Sequence, residues 1–457
     1  MQPELLLALK SGVRTTLSIM RFFLALVGVS TVLSARALCA DTYMFRANPE
    51  HTGVYDSPGI AVQPLVKWKF HTKGAVISSP AVVDGTAYVG STDGNLYAID
   101  TDTGALRWKV ATRGRIVSSP AVDNGTVYFT SYDGHLYAVA SDTGKLRWKF
   151  QTQGERRFEG THLHGFQPAA ETMADVFDVY LSSPTIWHDR IFFGSGDRNV
   201  YALDDSGSLV WKFKTNDVVH ASPAVADGML YIGSWDSYFY ALDAATGRQI
   251  WRFKTGEDPD IHNQVGIQSS AAVVDGLVVF GCRDSHLYAL DARTGQKRWA
   301  FPTHGSWVVS SPAVRAGEVY FSTSDSSLVY QVDARTGTPV FSLDFHGWPL
   351  FSSPAIAGNM LYIGSWAGTL LAVDLRQRKL AWTFASDGAR EHAASLTKAD
   401  GSPNYEAAYH SDFYDDMVTG FSTMMTAGAM LSSPVVSGGV IYVGSTDGNL
   451  YALASGP

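Results

Sequence analysis

Apolar and polar residues alternate over short stretches through most of this chain, and Gly, Asp, Asn and Thr separate the stretches. The clearest example is "SSPAVVDGTAYVGSTDGNLYAIDTDTGALRWKV" (78–110), which contains four short alternating runs. Alternation with a period of two predicts β-strands, and Asp84-Gly85 and Thr103-Gly104 are typical of tight turns. The unit therefore predicts four short antiparallel strands.

The same unit recurs along the chain, which makes the fold a repeat. Apart from two longer intervals, the copies start 39 to 48 residues apart. A period near 40 residues in a β-rich sequence is typical of a β-propeller. We predict an all-β, eight-bladed β-propeller of four-stranded antiparallel blades, forming a single domain over 65–457. The copies begin at Ser78, Ser118, Ser182, Ala221, Ser269, Ser310, Ser352 and Ser432.

The ends of the repeat region do not match each other. The phrase "LVKWKF" (65–70) resembles the fourth run "LRWKV" (106–110), but it precedes the first copy, and the last copy stops at "NLYALASGP" (449–457) without a fourth run. Ring closure by an N-terminal strand explains both facts and removes open sheet edges. We predict that 65–70 completes the C-terminal blade.

The N-terminal segment has a different composition. Lys10, Arg14 and Arg21 precede the apolar run "FFLALVGVSTVLSA" (22–35), and small residues follow it. This three-part pattern is that of a secretory signal. We predict a signal peptide over 1–40, a lead-in over 41–64, and a periplasmic or secreted mature chain without a transmembrane segment. An uncleaved membrane anchor is the alternative.

The charge and cysteine content exclude several functions. Residues 1–40 hold four of the 35 Lys and Arg and one of the 43 Asp and Glu, so the remaining chain carries 31 basic and 42 acidic residues. Such an acidic balance disfavours nucleic acid as a partner. Cys282 is then the remaining cysteine, so no internal disulfide forms, and no CxxCH sequence is present to attach haem c. We predict that Cys282 is buried and unreactive.

One motif connects the repeat with a known family. The stretch "AIDTDTGALRW" (98–108) resembles the tryptophan-docking motif of the PQQ-like (pyrroloquinoline quinone-like) propeller repeat family, and full matches end at Trp251 and Trp299. The resemblance covers nearly all of 44–457. It implies the fold of the quinoprotein alcohol dehydrogenase-like superfamily, which also includes the outer-membrane assembly lipoprotein. It does not imply one activity, because a fold hosts many functions.

The differences between copies are where we expect function. Two long segments interrupt the repeat, at 151–180 and 385–430, and we name them the first and the second insertion. Both fall between blades, at links that share one face of the ring with the "STDG" turns. Long loops on one rim of a rigid scaffold are typical of a binding or catalytic surface.

Two polar residues break the pattern of the innermost strand. The residue before the "SSP" phrase is apolar in six copies, but it is His220 and Gln268 in two adjacent blades. We expect both side chains to face the central funnel. Either they are satisfied within the fold or by water, or they contact a ligand, with His220 as a general acid or base.

The predicted rim carries further unusual residues. Four tryptophans of this rim lie outside the repeated set, and together with an arginine in one turn they could hold a planar or sugar-like ligand, with ordinary loop packing as the alternative. The first insertion also contains His162 and His164 near Asp175 and Asp178, a candidate divalent-metal site, unless the insertion serves as a lid. The candidate ligand-binding residues are Gln268, Arg283, Trp235, Trp307, Trp348 and Trp366.

Three functional hypotheses follow. The family resemblance implies PQQ and Ca²⁺ on the funnel axis, so the first hypothesis is a propeller that binds a small ligand on this rim, in its enzymatic form a PQQ-dependent alcohol or sugar dehydrogenase. The chain departs from that pattern, because it has no adjacent Cys-Cys pair and no haem motif. The alternative is a non-catalytic periplasmic scaffold or protein-binding propeller that resembles the outer-membrane assembly lipoprotein. A carbohydrate-binding propeller is the third hypothesis. An enclosed pocket at the rim would favour a small ligand over a protein partner.

Overall fold

The computed structural model describes residues 43–256, 266–315 and 317–456. The predicted signal peptide and the first residues of the predicted lead-in lie outside the described residues. Within them, no helix is long and apolar enough to cross a membrane.

Eight antiparallel four-stranded units follow one another along the chain, one for each copy of the repeat, and we number them blades 1 to 8; in blade 7 the short strand Val54–Tyr55 adds a fifth, parallel strand to the sheet. The predicted eight-bladed propeller is confirmed. The strands of blades 1 to 4 are Ala81–Val83, Thr86–Gly90, Asn95–Asp100 and Leu106–Ala111; Ala121–Asp123, Thr126–Ser131, His135–Ala140 and Leu146–Gln151; Thr185–Trp187, Arg190–Gly194, Asn199–Asp204 and Leu209–Lys214; Ala224–Ala226, Met229–Gly233, Tyr238–Asp243 and Gln249–Lys254. Those of blades 5 to 8 are Ala272–Val274, Leu277–Cys282, His286–Asp291 and Lys297–Pro302; Ala313–Arg315, Glu318–Ser322, Leu328–Asp333 and Pro339–Asp344; Ala355–Ala357, Met360–Gly364, Thr369–Asp374 and Lys379–Ala385; Val435–Ser437, Val440–Gly444, Asn449–Ala454 and, from the other end of the chain, Leu65–His71.

Blade 8 joins the two ends of the repeat region. Its fourth strand, Leu65–His71, runs antiparallel to Asn449–Ala454, and the register pairs Leu65 with Ala454 and His71 with Asn449. The predicted closure by the N-terminal strand is therefore present, and the first and last segments of the ring depend on each other for their backbone hydrogen bonds.

A closed circle of hydrogen bonds surrounds the central channel. The second serine of each "SSP" phrase accepts, through Oγ, the backbone N–H of the equivalent serine in the preceding blade, and Ser433 donates to Ser79 to complete the circle. A buried N–H needs an acceptor, which explains why a small hydroxyl residue recurs at this position. The ring consists of Ser79, Ser119, Ser183, Ser222, Ser270, Ser311, Ser353 and Ser433.

The repeated tryptophans connect the blades at their outer strands. The Trp68 indole N–H donates to the carbonyl of Thr101 in the next blade at 2.8 Å, and Trp108 contacts Ser141 in the same way. Gly104 lies against the Trp68 ring with φ +72°, and a Cβ there would come within 2.7 Å of the indole. The turn therefore needs glycine both for its backbone and for the space that the indole occupies.

The lead-in closes one end of the channel. Residues 43–53 cross it, and their carbonyls accept N–H bonds from the innermost strands of five blades, while Val54–Tyr55 pairs parallel with Ala355–Ala357. The buried Arg46 guanidinium donates to the carbonyls of Pro312 and Pro354. The donors and their acceptors are Val122 with Tyr43, Val225 with Pro49, Val273 with Glu50, Val314 with Thr52 and Ile356 with Gly53.

The insertions contain the remaining elements, and they contact each other. The first has a two-stranded hairpin, Glu159–Gly160 with Met173–Ala174, and a 3₁₀ turn, Leu163–Gly165. The second has helix α1 (Asp387–Leu396), a 3₁₀ turn (Tyr405–Ala407) and helix α2 (Tyr414–Met425). The backbone N–H of Gln167 donates to the carbonyl of Asp412, and the Tyr414 hydroxyl donates to that of Ala174.

Candidate functional site

The end of the first insertion fills the funnel. The Tyr180 hydroxyl donates to the carbonyls of Phe351 and Leu431, which belong to two other blades. Between Tyr180 and Phe45 of the lead-in, the serine ring encloses a cavity of about 40 Å³. That space suits about one water molecule, whereas small-molecule sites usually measure about 300–1,000 Å³. The axis of the propeller is therefore closed by the chain's own residues.

His220 is enclosed by two carboxylates of the first insertion. Its Nδ1 lies 2.8 Å from Asp178 Oδ1, and its Nε2 lies 3.8 Å from Glu155 Oε2. All three side chains are at most 3% exposed. Glu155 Oε1 also accepts the Ser195 hydroxyl hydrogen bond, and Oε2 accepts the Gly196 N–H. The candidate acid or base is thus held in a buried network.

Two groups of this network, Glu155 and His220, have raised pKa values. Burial raises the pKa of Glu155 to about 7, against the opposing effects of His220, Ser195 and Gly196. Burial also opposes a charge on His220, but Asp178 and Glu155 outweigh it, and the pKa of His220 is raised. Both groups consequently favour the protonated form in the folded protein.

We expect the melting temperature to fall between pH 5 and pH 8. A group whose pKa is raised by folding stabilises fully below its unfolded pKa, about 4.5 for Glu155, and loses that contribution as the pH rises through about 7. The loss amounts to at most about 3 kcal/mol at 1.36 kcal/mol per pH unit. Glu155→Gln should flatten the dependence of the melting temperature on pH, measured by calorimetry. Glu159 is an exposed acid of the same insertion, so Glu159→Gln should leave this dependence unchanged. An unaltered profile in Glu155→Gln would contradict this assignment.

Arg283 pairs with the same insertion. Its guanidinium donates to Asp175 Oδ2 at 2.6 Å, and its Cζ lies 4.4 and 4.2 Å from the ring centres of Trp235 and Trp307. His164 Nε2 lies 3.2 Å from Asp175 Oδ1. Burial alone would raise the pKa of Asp175, but Arg283 and His164 hold it well below its usual range. The cation is thus ion-paired and stacked between two indoles.

Phe177 occupies the space among the remaining candidates. Gln268 Nε2 donates to the Phe177 carbonyl at 3.1 Å. The Phe177 ring stacks on Trp366 at 6.2 Å between centroids and meets Trp307 edge-on at 5.7 Å. Trp348 lies under the second insertion, where its indole N–H donates to the Gly401 carbonyl at 2.9 Å. The predicted rim residues therefore contact residues of the two insertions, rather than lining an open pocket.

The candidate metal ligands His162 and His164 have different surroundings. His162 is exposed, whereas His164 is turned towards Asp175. Among the described residues, no group of three or more His, Cys, Asp or Glu side chains is arranged to hold a metal ion. His164 instead helps to fix the carboxylate that binds Arg283.

Sequence reasoning missed the importance of Glu155, Phe177 and Tyr180. A signal for Glu155 exists in the aligned copies, since Ala75 and Arg115 stand at the corresponding position after the Gly of that link. Tyr180 also has a signal, since the corresponding residue two positions before the "SSP" phrase is aliphatic or Met in the other seven copies. Phe177 lies in a segment without a counterpart in the other copies, so the repeat pattern contains no information about it.

The filled funnel leaves polar atoms unpaired. In the described part of the chain, several buried nitrogens and one oxygen of this site have no hydrogen-bond partner. Buried polar groups usually have one, and a missing bond costs about 1–3 kcal/mol. Most of these atoms are donors, so they would suit an acceptor-rich molecule. They are His220 Nε2, Trp235 Nε1, Gln268 Oε1, Arg283 Nε and Nη2, Trp307 Nε1 and Trp366 Nε1.

The quinone that the family resemblance implies does not fit this funnel. A tricyclic cofactor needs a pocket in the usual range of about 300 Å³ or more, and the axis offers about 40 Å³. The stacking surfaces are also covered, because Phe158 stacks on Trp235 at 4.6 Å and Phe177 stacks on Trp366. In this conformation, residues of the first insertion take the place that such a group would require.

The fold and the repeated contacts define the chain as an eight-bladed propeller of PQQ-like repeats. It belongs to the family described as outer membrane protein assembly factor BamB, whose model matches residues 65–177, 181–383 and 302–453. The resemblance predicted from the docking motif is confirmed at this level. A comparison with curated proteins finds no match.

Solved structures of two kinds share the fold. BamB from Moraxella catarrhalis is 16% identical with a TM-score of 0.61, and the match covers 86% of this chain and 98% of that protein. A europium-containing methanol dehydrogenase is 16% identical with a TM-score of 0.63, covering 91% and 98%. The quinohemoprotein alcohol dehydrogenase from Comamonas testosteroni is 14% identical with a TM-score of 0.65, covering 92% and 81%. At these identities the likeness establishes the fold alone.

Proposed function

We propose that this chain is an exported, non-catalytic propeller that binds other proteins as a scaffold. The observation that supports this role most is the funnel filled by Phe177, Asp178 and Tyr180. A role in the assembly of other proteins agrees with the description of the family. Export rests on the predicted signal peptide alone.

A closed axis favours recognition on the outer surface. The channel is filled along its length by the lead-in, the serine ring and the first insertion. A partner therefore binds a preorganised surface, and little conformational entropy is lost on binding. Loops on the rim of such a scaffold are typical interaction sites.

The experiment that tests this proposal is a titration with PQQ and Ca²⁺. We expect no bound quinone absorbance at micromolar PQQ and no dye-linked alcohol oxidation, because the first insertion occupies the required volume. A quinoprotein apoenzyme reconstituted in parallel serves as the positive control. Saturable binding of PQQ to the wild-type chain at micromolar concentration would overturn the scaffold proposal.

The unpaired donors of the funnel favour a second candidate function. If the segment 175–178 withdraws, the indole and guanidinium N–H groups would face a small, acceptor-rich ligand. Phe177→Ala in the same titration separates the two roles. If the wild type binds PQQ and Phe177→Ala binds it more tightly, the funnel is a ligand site that the first insertion covers. If neither protein binds PQQ, the result favours the scaffold.

A further inference from the structure

An open basic groove lies on blade 3, beside the start of the first insertion. It has a volume of about 600 Å³ and is lined by four exposed cations, Arg156, Arg198, Lys212 and Lys214. The chain as a whole has a net charge of −8. A cluster of positive charge on an acidic protein creates a local field that attracts anionic groups.

The cations of this basic groove have no acidic partner at contact distance. Among the described residues, none of the four lies within 4.0 Å of a carboxylate. Asp197 is bound by its own turn, where its Oδ2 accepts the Tyr201 hydroxyl at 2.6 Å. Asp217 does not line the groove; its carboxylate accepts the N–H of Val218, and Arg198 and Arg156 act on it only at longer range. Asp197 is thus bonded within its own turn, whereas all four cations are exposed.

The groove acids include Glu155, which is turned towards the funnel. Its two oxygens bond to Ser195 and Gly196, and its side chain is 3% exposed. It therefore does not neutralise the surface cations directly. Arg156 is anchored on the same turn, since its Nε donates to the Gly196 carbonyl at 3.1 Å, and the rest of its guanidinium is exposed.

Arg198 stands where the repeat normally places a small residue. Its φ is +73°, and the equivalent turn position is Gly or Ser in the other seven blades. A bulky residue in the left-handed region costs about 1 kcal/mol or more, so its presence suggests a use for the side chain.

The lysines of the groove also differ from their counterparts. In blades 1 and 2, Lys109 and Lys149 lie over the rings of Tyr97 and Tyr137. In blade 4, Arg252 and Lys254 both lie over Tyr238, at 4.6 and 5.2 Å. Blade 4 therefore has two cations that are already engaged, which makes it a matched control for blade 3.

We propose that the basic groove of blade 3 binds an acidic peptide segment of a partner protein. Two arginines and two lysines can pair with several carboxylates, and guanidinium groups bind carboxylates in a bidentate manner. The groove is larger than a single inorganic anion requires. No aromatic side chain lines it for base stacking, and the net negative charge of the chain repels a nucleic acid. This inference rests on the proposed scaffold function and names the chemistry of the partner.

The test is fluorescence anisotropy with a labelled eight-residue oligo-glutamate peptide and the full mature chain. We expect saturable binding that weakens as salt rises, because screening acts on exposed charges. Arg198→Gly with Lys214→Gln should weaken binding about tenfold. Arg198→Gly restores the usual turn residue, so the melting temperature should be maintained. Arg252→Gln with Lys254→Gln removes the same charge from blade 4 and should leave the affinity unchanged.

The proposal would be overturned by an absence of binding at low salt or by an equal loss of affinity in the blade 4 variant. It would also be overturned if about 10 mM inorganic phosphate displaced the peptide completely, as expected of a weak site for a single anion. Equally tight binding of a single-stranded oligonucleotide would contradict it as well. These results are independent of the PQQ titration, which addresses the funnel. A failed peptide assay together with absent quinone binding would reject the acidic-partner inference and leave the scaffold function standing.

Discussion

A variant in which residues 65–71 are replaced by a Gly-Ser linker is expected to lose the cooperative thermal transition of the propeller. This strand supplies the fourth strand of blade 8 and contributes Trp68, which is 8% exposed and bonds to Thr101 of blade 1. Its Phe70 ring packs on Tyr97 with centroids 5.3 Å apart. The strand therefore connects blade 8 to blade 1.

The expected effect is large compared with the stability of a domain. Loss of one buried tryptophan side chain typically costs about 3–5 kcal/mol, and whole domains are stable by about 5–15 kcal/mol. Replacing the strand by the linker also leaves the edge of Asn449–Ala454 open to pairing with other chains, which promotes aggregation. Differential scanning calorimetry and light scattering would detect both consequences.

A rescue variant makes the prediction specific to ring closure. Leu65 pairs with Ala454, so the same seven residues can follow Ala454 through an Asn-Gly hairpin turn and occupy their strand from the other side. We expect this permuted chain to recover most of the melting temperature. A deletion variant that melts cooperatively within a few degrees of wild type would show that the closing strand is dispensable.

The repeated features of the fold could be predicted because the same sequence pattern occurs in each copy of the repeat. Six "SSP" phrases and their two variants, "ASP" (221–223) and "SSA" (269–271), predicted eight innermost strands, and the "LVKWKF" phrase before the first copy predicted the closure of blade 8. The physical reason for the second serine, a hydrogen bond to the next blade, needs the ring geometry and appears only in the structure.

The candidate site could be predicted only as a set of residues. His220, Gln268 and Arg283 were found because they break the pattern, and the structure does place them near one another. Their partners come from a long insertion whose path is set by non-local contacts. The sequence could therefore not distinguish an open ligand pocket from one filled by Phe177 and Tyr180.

Arg283→Met should release the first insertion from the funnel. The substitution keeps an unbranched side chain between Trp235 and Trp307 but leaves the Asp175 carboxylate buried without its cation. Breaking a buried ion pair in this way costs about 3–5 kcal/mol. The double variant Arg283→Met with Asp175→Asn removes both charges, and we expect it to recover part of the loss.

The pH dependence of this pair has a definite sign. The pKa of Asp175 is lowered in the folded chain, so its stabilisation is fully present above the unfolded pKa, about 3.9, and is lost as the pH falls further. At pH 7 the ion pair therefore contributes fully to the stability of the fold. The difference in the free energy of unfolding between wild type and Arg283→Met should shrink in strong acid.

The central claim is that the first insertion fills the funnel in solution, and hydrogen exchange of residues 173–181 by mass spectrometry tests it most directly. The N–H groups of Asp175, Phe177 and Asp178 are bonded to Phe158 O, Asp175 Oδ1 and Asp175 O. We predict that this peptide is protected to an extent comparable with the innermost strands in wild type, and exchanges about 100-fold faster in Arg283→Met, as a loss of about 3 kcal/mol implies. Exchange in wild type at the rate of an unstructured peptide would contradict the account.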